Sequence, residues 1–134
     1  MNYDNLILNT DSYKISHYLQ YPPGTTNVFS YAESRGGLFP ETVFLGLQPF
    51  LKKYLTTPVT MQDIDEAEVI CNLHGFPDFN REMWEHIVNE HGGLLPLRIR
   101  AVREGTVVPT KNVLITIENT DPKCAPLTSY LETA

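Results

Sequence analysis

Hydrophobic residues recur along this chain with two periods, one typical of strands and one typical of helices. Where apolar and polar positions alternate, a half-buried strand is expected, because successive side chains of a strand point to opposite faces. This pattern predicts strands at residues 27–34, 95–102, 106–109 and 113–119, with a turn at 110–112 between the last two. The apolar positions of residues 41–55 instead share one helical stripe, which predicts a helix that Pro49 weakens or kinks.

Two further helices are predicted from the residues at their boundaries. Thr60 and Asn80 each precede an amphipathic stretch, and their side chains can accept hydrogen bonds from the free N–H groups of a first helical turn. Gly75 and Gly92 follow these stretches as natural stops, since glycine readily adopts the left-handed conformation that ends many helices. Helices and strands in alternation predict a mixed α/β fold.

The last predicted helix opens at Asp121 and Pro122, a cap followed by a first-turn proline, and passes through Leu127 and Leu131. It reaches the end of the chain without a stop signal. A chain of 134 residues is long enough to bury one core. We therefore expect a single domain over residues 1–134 whose final helix is truncated.

Composition and charge exclude several classes of partner. Hydrophobic residues make up 42% and charged residues 19% of the chain, which is typical of globular proteins. The net charge of -6 and a pI near 5.1 argue against a nucleic-acid surface, which needs a basic patch. No apolar run approaches the roughly 20 residues that span a bilayer, and no basic region precedes one as in a secretory signal. We expect neither nucleic-acid nor membrane binding, and a cytoplasmic location.

The cysteines and most of the histidines carry no recognisable metal motif. Cys71 and Cys124 lie far apart and belong to no Cys-x-x-Cys pattern, so both are expected to be free thiols in a reducing compartment. A metal role for them is not expected. Histidines at helix surfaces and helix ends are common, and the sequence requires no function of His74, His86 or His91.

Candidate chemistry is concentrated near the start, where an acid, a tyrosine, a lysine and a histidine fall within about one and a half helical turns. Tyr13 can stack on a flat ring, and the Asp11 carboxylate can accept a hydrogen bond from an amide. The same residues also suit a purely structural role. Asp11 can cap a short helix whose inner face carries Tyr13 and His17, four residues apart. The residues alone leave both interpretations open.

The order of residues resembles a known family. The motif Thr-Asp-Ser-Tyr-Lys-x-x-His-Tyr-x-Gln-Tyr-Pro-Pro at residues 10–23 is similar to the N-terminal signature of the nicotinamide phosphoribosyltransferases. These enzymes belong to the dimeric type II class, which also includes the nicotinate phosphoribosyltransferases. Further similar blocks lie at residues 29–35, 41–48, 104–109 and 113–122. The loop at 36–40 is shorter than in the animal enzymes, and Pro49 departs from the family pattern.

The resemblance implies a fold and a reaction. Family members are several times longer, so the chain would be their α+β N-terminal domain without the barrel domain that completes the enzyme. The complete enzyme is a pentosyltransferase that moves phosphoribosyl from phosphoribosyl pyrophosphate to nicotinamide, giving nicotinamide mononucleotide and pyrophosphate for NAD salvage. It would use Mg²⁺ with the donor and work as a homodimer with shared active sites. This chain alone is expected to be inactive.

The resemblance also gives roles to three residues and leaves catalysis to the missing portion. Tyr13 would stack on the nicotinamide ring, Asp11 would lie beside its carboxamide, and Arg35 would bind phosphate groups, all three in the active site of the neighbouring subunit. Lys14 and His17 are expected to be structural, with Lys14 as a solvated cation.

Two alternative functions remain open. The first is a nicotinate phosphoribosyltransferase fragment, although the acceptor's carboxylate would need a cation that Asp11 does not offer. The second is a non-catalytic binding or dimerisation module, and its only support is the length of the chain.

Overall fold

A three-stranded antiparallel sheet forms the centre of the fold in the computed structural model, which describes residues 4–134. Strand β1 (Phe29–Glu33) pairs with one edge of β5 (Val113–Asn119), and β3 (Leu97–Ala101) pairs with the other. Tyr31 lies opposite Thr116, and Arg100 lies opposite Thr116 on the other side. The three predicted strands are confirmed, and the fold is mixed α/β.

The helix predicted over residues 41–55 is wrong in its first part, which forms a strand of a second, two-stranded sheet. Strand β2 (Glu41–Val43) pairs antiparallel with β4 (Val107–Pro109), so residues with a helical stripe form a strand. The pairing partner lies far away in the sequence, and such tertiary pairing overrides local periodicity. The turn at 110–112 is present, with Lys111 at a φ of 62°. It connects two different sheets, since β4 and β5 do not pair in the described chain.

The helical part of 41–55 starts later than predicted. Helix α1 (Leu47–Phe50) continues into a π-helical turn at Leu51–Leu55. Pro49 occupies the first turn of α1, where backbone N–H groups have no partner within the helix. The proline therefore fits the start of the helix and does not kink its middle.

Helices α2 (Met61–Leu73) and α3 (Arg81–His91) follow the predicted boundaries. Thr60 and Asp63 form a reciprocal capping box, in which each side chain accepts a hydrogen bond from the other's backbone N–H. Asn80 caps α3 by accepting from the N–H of Met83, and Gly92 ends it in the left-handed conformation. Local cap chemistry therefore fixes both helices.

A close backbone approach holds the end of α3 against the start of α2. The N–H of Val59 donates to the carbonyl of Gly93 at 2.9 Å. Gly93 has a φ of +82°, and a Cβ there would lie 2.2 Å from the carbonyl oxygen of Val59. Only glycine fits this position, because any side chain would collide with backbone.

Short turns make up both ends of the described chain. The N-terminal part has 3-10 turns at Leu6–Leu8, Ser12–Ile15 and His17–Gln20. The predicted C-terminal helix is instead broken into a 3-10 turn at Pro122–Cys124, helix α4 (Leu127–Tyr130) and a 3-10 turn at Leu131–Thr133. Asp121 is the expected cap and accepts from the N–H of Lys123. Pro126, which has no N–H to donate, prevents one continuous helix.

The core lies between the two long helices, the N-terminal turns and α4. Its largest fully buried side chains include Trp84, Ile7, Ile64 and Leu127, and Trp84 packs edge-on against Tyr130 at 5.3 Å between ring centroids. A cleft of about 600 Å³ lies beside the sheet, and its lining includes Phe44, Leu51, Ile99, Ile115 and Ile117. Apolar side chains of the sheet therefore line an open cleft.

Candidate functional site

The turn that carries Asp11 and Tyr13 is held by the C-terminal segment. The Thr10 hydroxyl donates to the carbonyl oxygen of Tyr130 at 2.6 Å, and the N–H of Asp11 donates to Oγ1 of Thr133 at 3.0 Å. These bonds join residues more than a hundred positions apart. The Ser12–Ile15 turn is therefore positioned by α4 and the turn that follows it.

Tyr13 lies at the surface and is half exposed, at 50%. The Asp11 carboxylate lies near its phenol, and hydrogen bonding to that carboxylate is the main reason that the pKa of Tyr13 is raised. The His17 ring packs beside the Tyr13 ring at 5.0 Å between centroids. The structure thus brings Asp11 and Tyr13 together, supports the tyrosine ring with His17 and leaves ring surface open to solvent.

Lys14 is buried, which corrects the expectation of a solvated cation. Its ammonium forms an ion pair with Glu132 and donates to the Ser129 hydroxyl at 3.3 Å. It also lies 5.4 Å from the centre of the Tyr13 ring. A buried ammonium is tolerated only with such partners. Lys14 therefore ties the turn to the C-terminal segment, which agrees with the structural role expected of it.

Arg35 is exposed in the loop between β1 and β2. In the part of the chain that the structure describes, no hydrogen bond, ion pair or ring contact involves its side chain, so nothing joins it to Asp11 or Tyr13. The loop backbone is anchored nearby, since the N–H of Lys111 donates to the carbonyl of Ser34 at 2.8 Å. The three predicted substrate residues therefore form a pair and a separate, unpaired arginine.

A cluster that sequence reasoning missed lies where α3 meets the C-terminal segment. The Nε2 atoms of His86 and His91 lie 2.8 and 2.7 Å from the same carboxylate oxygen of Asp121. These hydrogen bonds lower the pKa of Asp121 well below its usual range. The spacing of the two histidines on α3 was visible in the sequence. Their convergence on Asp121 was not, because it depends on tertiary packing.

Cys124 lies beside this cluster and is fully buried. Burial, with a smaller contribution from the Asp121 charge, raises the pKa of its thiol to about 12. Cys71 is also buried and free, which confirms the expectation of free thiols for both cysteines. A sulfur atom, an imidazole and a carboxylate from Cys124, His86 and Asp121 all lie within 4.8 Å of one another.

The sequence model of one protein family, described as "Nicotinamide phosphoribosyltransferase, N-terminal domain", matches residues 5–99, well over half of the chain. The chain belongs to the nicotinamide phosphoribosyltransferase family. The resemblance carried by the N-terminal motif is thereby confirmed, and Asp11, Tyr13 and Arg35 all fall inside the matched region.

Three curated relatives are each named nicotinamide phosphoribosyltransferase. The one from Xanthomonas campestris pv. campestris is 59% identical over 130 residues, which cover 97% of this chain and 28% of the relative. The one from Acinetobacter baylyi is 32% identical and covers 92% of this chain and 27% of the relative. The relative from Mycoplasma pneumoniae is 28% identical, and the match covers 95% of this chain and 33% of the relative. The chain therefore spans about a third or less of the relatives that it matches.

Magnesium is expected with the phosphoribosyl donor, but the converging ligands among the described residues of this chain do not suit it. Mg²⁺ prefers oxygen ligands in octahedral geometry. Among residues 4–134, the one group of three converging ligands is His86, Asp121 and Cys124, whose nitrogen and sulfur donors suit softer ions. We therefore assign no magnesium ligand to these residues. Within the same range, no helix combines the length and the apolar character needed to cross a membrane.

Proposed function

We propose that this chain forms the N-terminal, nicotinamide-binding part of a nicotinamide phosphoribosyltransferase. The complete enzyme would transfer phosphoribosyl from phosphoribosyl pyrophosphate to nicotinamide, giving nicotinamide mononucleotide and pyrophosphate in NAD salvage. Family membership supports the reaction class, and the relatives' shared name supports nicotinamide as acceptor. The observation that carries the proposal is the half-exposed Tyr13 ring with Asp11 at its edge.

The geometry of this pair suits a flat ligand that bears an amide. A planar ring stacks on the open surface of Tyr13, and such aromatic pairs contribute about 0.5–1.5 kcal/mol beyond area burial. Asp11 is exposed and accepts from Tyr13, and a carboxylate has further lone pairs for a carboxamide N–H. The carboxylate of nicotinate would instead face a like charge at Asp11. The pair therefore favours nicotinamide.

Arg35 is assigned to the phosphate groups of a site shared between two subunits. Its guanidinium is exposed and unpaired in the described chain, so it is free to bind phosphate in a bidentate manner. Together with Asp11 and Tyr13 of the same chain, it would complete the site of the neighbouring subunit. The enzyme would act as a homodimer, with Mg²⁺ bound to the donor and held by the remaining portion. Two free buried cysteines support a cytoplasmic location.

A chimera tests the proposal directly. The part of this chain that matches the Xanthomonas relative over 130 residues would replace the corresponding region of that protein, to which it is 59% identical. The purified chimera, given nicotinamide, phosphoribosyl pyrophosphate and Mg²⁺, is expected to form nicotinamide mononucleotide. The isolated 134-residue chain is the matched control and should form none.

Three results would contradict parts of the proposal. A folded chimera without product would overturn the assignment of this chain to the enzyme. A chimera that prefers nicotinate would overturn the acceptor assignment and favour the nicotinate alternative. Product made by the isolated chain would overturn the need for the remaining portion.

A further inference from the structure

The cluster around Asp121 offers a ligand set that the proposed function does not use. His86 and Asp121 are mostly buried side chains, with 16% and 18% exposure, and Cys124 is completely buried. Each comes from a segment fixed by packing: His86 from the middle of α3 and the other two from the capped turn that begins at Asp121. Their ligand atoms lie within 4.8 Å of one another. Three different donor types therefore converge on one point.

The spacing is close to that of a metal site. Zinc lies about 2.0 Å from nitrogen and about 2.3 Å from sulfur, which places tetrahedral donors about 3.5 Å apart. Side-chain adjustments of about an ångström would bring the three atoms to that distance. An imidazole, a thiolate and a carboxylate suit zinc and neighbouring ions of the first transition row, whereas Mg²⁺ and Ca²⁺ prefer oxygen alone.

We propose that His86, Asp121 and Cys124 bind a divalent transition-metal ion of the zinc type. His91 would act as a positioning residue, since its Nε2 lies 2.7 Å from the Asp121 carboxylate and beside no thiol. Ligating carboxylates are commonly held in this way by a second hydrogen bond. The fourth position would be taken by water. This site is separate from the Tyr13 pair and does not depend on the proposed reaction.

The surroundings leave one side of the cluster accessible to solvent. His86 lines an open groove of about 640 Å³ that also includes Lys123, Glu82 and Glu85. An ion can therefore reach the imidazole from solvent. Bound metal would link α3 to the C-terminal segment that holds the Tyr13 turn. The metal would have a structural role, because it would connect segments that lie far apart in the sequence.

Cobalt binding tests the site. The 134-residue chain, with any affinity tag removed and metal stripped by a chelator, would be titrated with Co²⁺ and then with Zn²⁺. We expect one Co²⁺ per chain with a near-ultraviolet thiolate-to-cobalt charge-transfer band, which Zn²⁺ abolishes by displacement. The melting temperature should rise with Zn²⁺ and fall again with chelator.

Variants assign the ligands. Cys124→Ser should abolish the charge-transfer band, and His86→Ala should abolish or strongly weaken Co²⁺ binding. His91→Ala should weaken binding about 10–100-fold, as expected for a group that holds a ligand. Cys71→Ser and His74→Ala, a second buried thiol and a histidine that hydrogen-bonds Ser12, are the matched controls and should leave binding unchanged.

Several outcomes would overturn the proposal. These are no Co²⁺ uptake, uptake without the charge-transfer band, a band that survives in Cys124→Ser, or a band lost equally in Cys71→Ser. Circular dichroism would verify that each variant is folded. If Cys124→Ser does not fold, His86→Ala is the deciding variant, because the His86 side chain is partly exposed and its loss should be tolerated. Undiminished Co²⁺ binding by His86→Ala would exclude the site.

Discussion

The phenol of Tyr130 donates a hydrogen bond of 2.6 Å to the carbonyl oxygen of Ile7, which lies 123 residues earlier in the chain. Both residues are buried, and burial raises the pKa of the phenol. The backbone carbonyl of Tyr130 in turn accepts from Thr10. One residue near the C-terminal end thus fixes two points of the N-terminal segment.

Tyr130→Phe should destabilise the chain by about 1–3 kcal/mol, because the buried Ile7 carbonyl would lose its donor. Thermal or urea unfolding followed by circular dichroism measures the change. Tyr31→Phe is the matched control, since Tyr31 is exposed and no hydrogen bond of its hydroxyl lies within the described chain. Equal stability of Tyr130→Phe and the wild type would show that the bond contributes nothing.

Thr128→Val should leave stability unchanged or raise it by up to about 1 kcal/mol. The Thr128 hydroxyl is buried without a hydrogen-bond partner among the described residues, so its removal avoids a desolvation penalty. Thr10→Val makes the same chemical change where the hydroxyl does donate, and it should cost about 1 kcal/mol. Urea unfolding of both variants gives the comparison. A larger loss for Thr128→Val than for Thr10→Val would contradict the assignment of partners.

Asp121 should make the stability of the metal-free chain depend on pH in the acid range. Hydrogen bonds from His86 and His91 lower its pKa in the folded state. A lowered pKa stabilises the fold above the unfolded value of about 3.9, and that contribution is lost as the pH falls further. The wild type should therefore exceed Asp121→Asn in unfolding free energy at pH 7, and the difference should shrink below about pH 4.

Urea unfolding in the presence of chelator, repeated from pH 7 to pH 3, measures this difference. Asp78→Asn, which alters an exposed carboxylate, serves as the control and should show little change at either pH. A difference for Asp121→Asn that grows as the pH falls would contradict the sign of the expected effect.

Tyr13→Ala in the active chimera should raise the KM for nicotinamide by about tenfold, because the stacking surface is lost. Tyr13→Phe keeps the ring and loses only the bond to Asp11, so its effect should be much smaller. Steady-state kinetics with varied nicotinamide separates the two. Equal effects of both substitutions would assign the function to the hydroxyl and contradict stacking.

Arg35→Ala should weaken use of phosphoribosyl pyrophosphate in the chimera with little change in melting temperature, since the side chain is exposed and unpaired within the described chain. Mixed dimers with a second inactive variant, altered in the remaining portion, should regain activity because one hybrid site is intact. Confirmed mixed dimers that recover no activity would contradict a site shared between subunits.

Much of the fold could be predicted because local chemistry determined it. Thr60 and Asn80 fixed two helices through their own side chains, and alternation gave the strands of the central sheet. The helix predicted over residues 41–55 was wrong in its first part. Thr42 there belongs to a strand and pairs with Val108, which is distant in the sequence. The break in the C-terminal helix has a local cause, since Pro126 has no N–H to donate.

The candidate site was predictable only in part for the same reason. The closeness of Asp11 and Tyr13 follows from their short separation in the chain. The burial of Lys14 against Glu132, and the convergence of two histidines on Asp121, required the three-dimensional fold. The roles of Asp11, Tyr13 and Arg35 in substrate binding stay predictions, as does the extent of the domain.

Residues 127–133 form hydrogen bonds with the N-terminal turns, and this has a consequence for synthesis on the ribosome. The segment that carries Tyr13 emerges long before Tyr130 and Thr133, yet these two residues make the hydrogen bonds that shape it. Contacts of such sequence separation form late, because a long loop must close before they are made. The nascent chain therefore cannot fix the Ser12–Ile15 turn until at least residue 133 has left the exit tunnel.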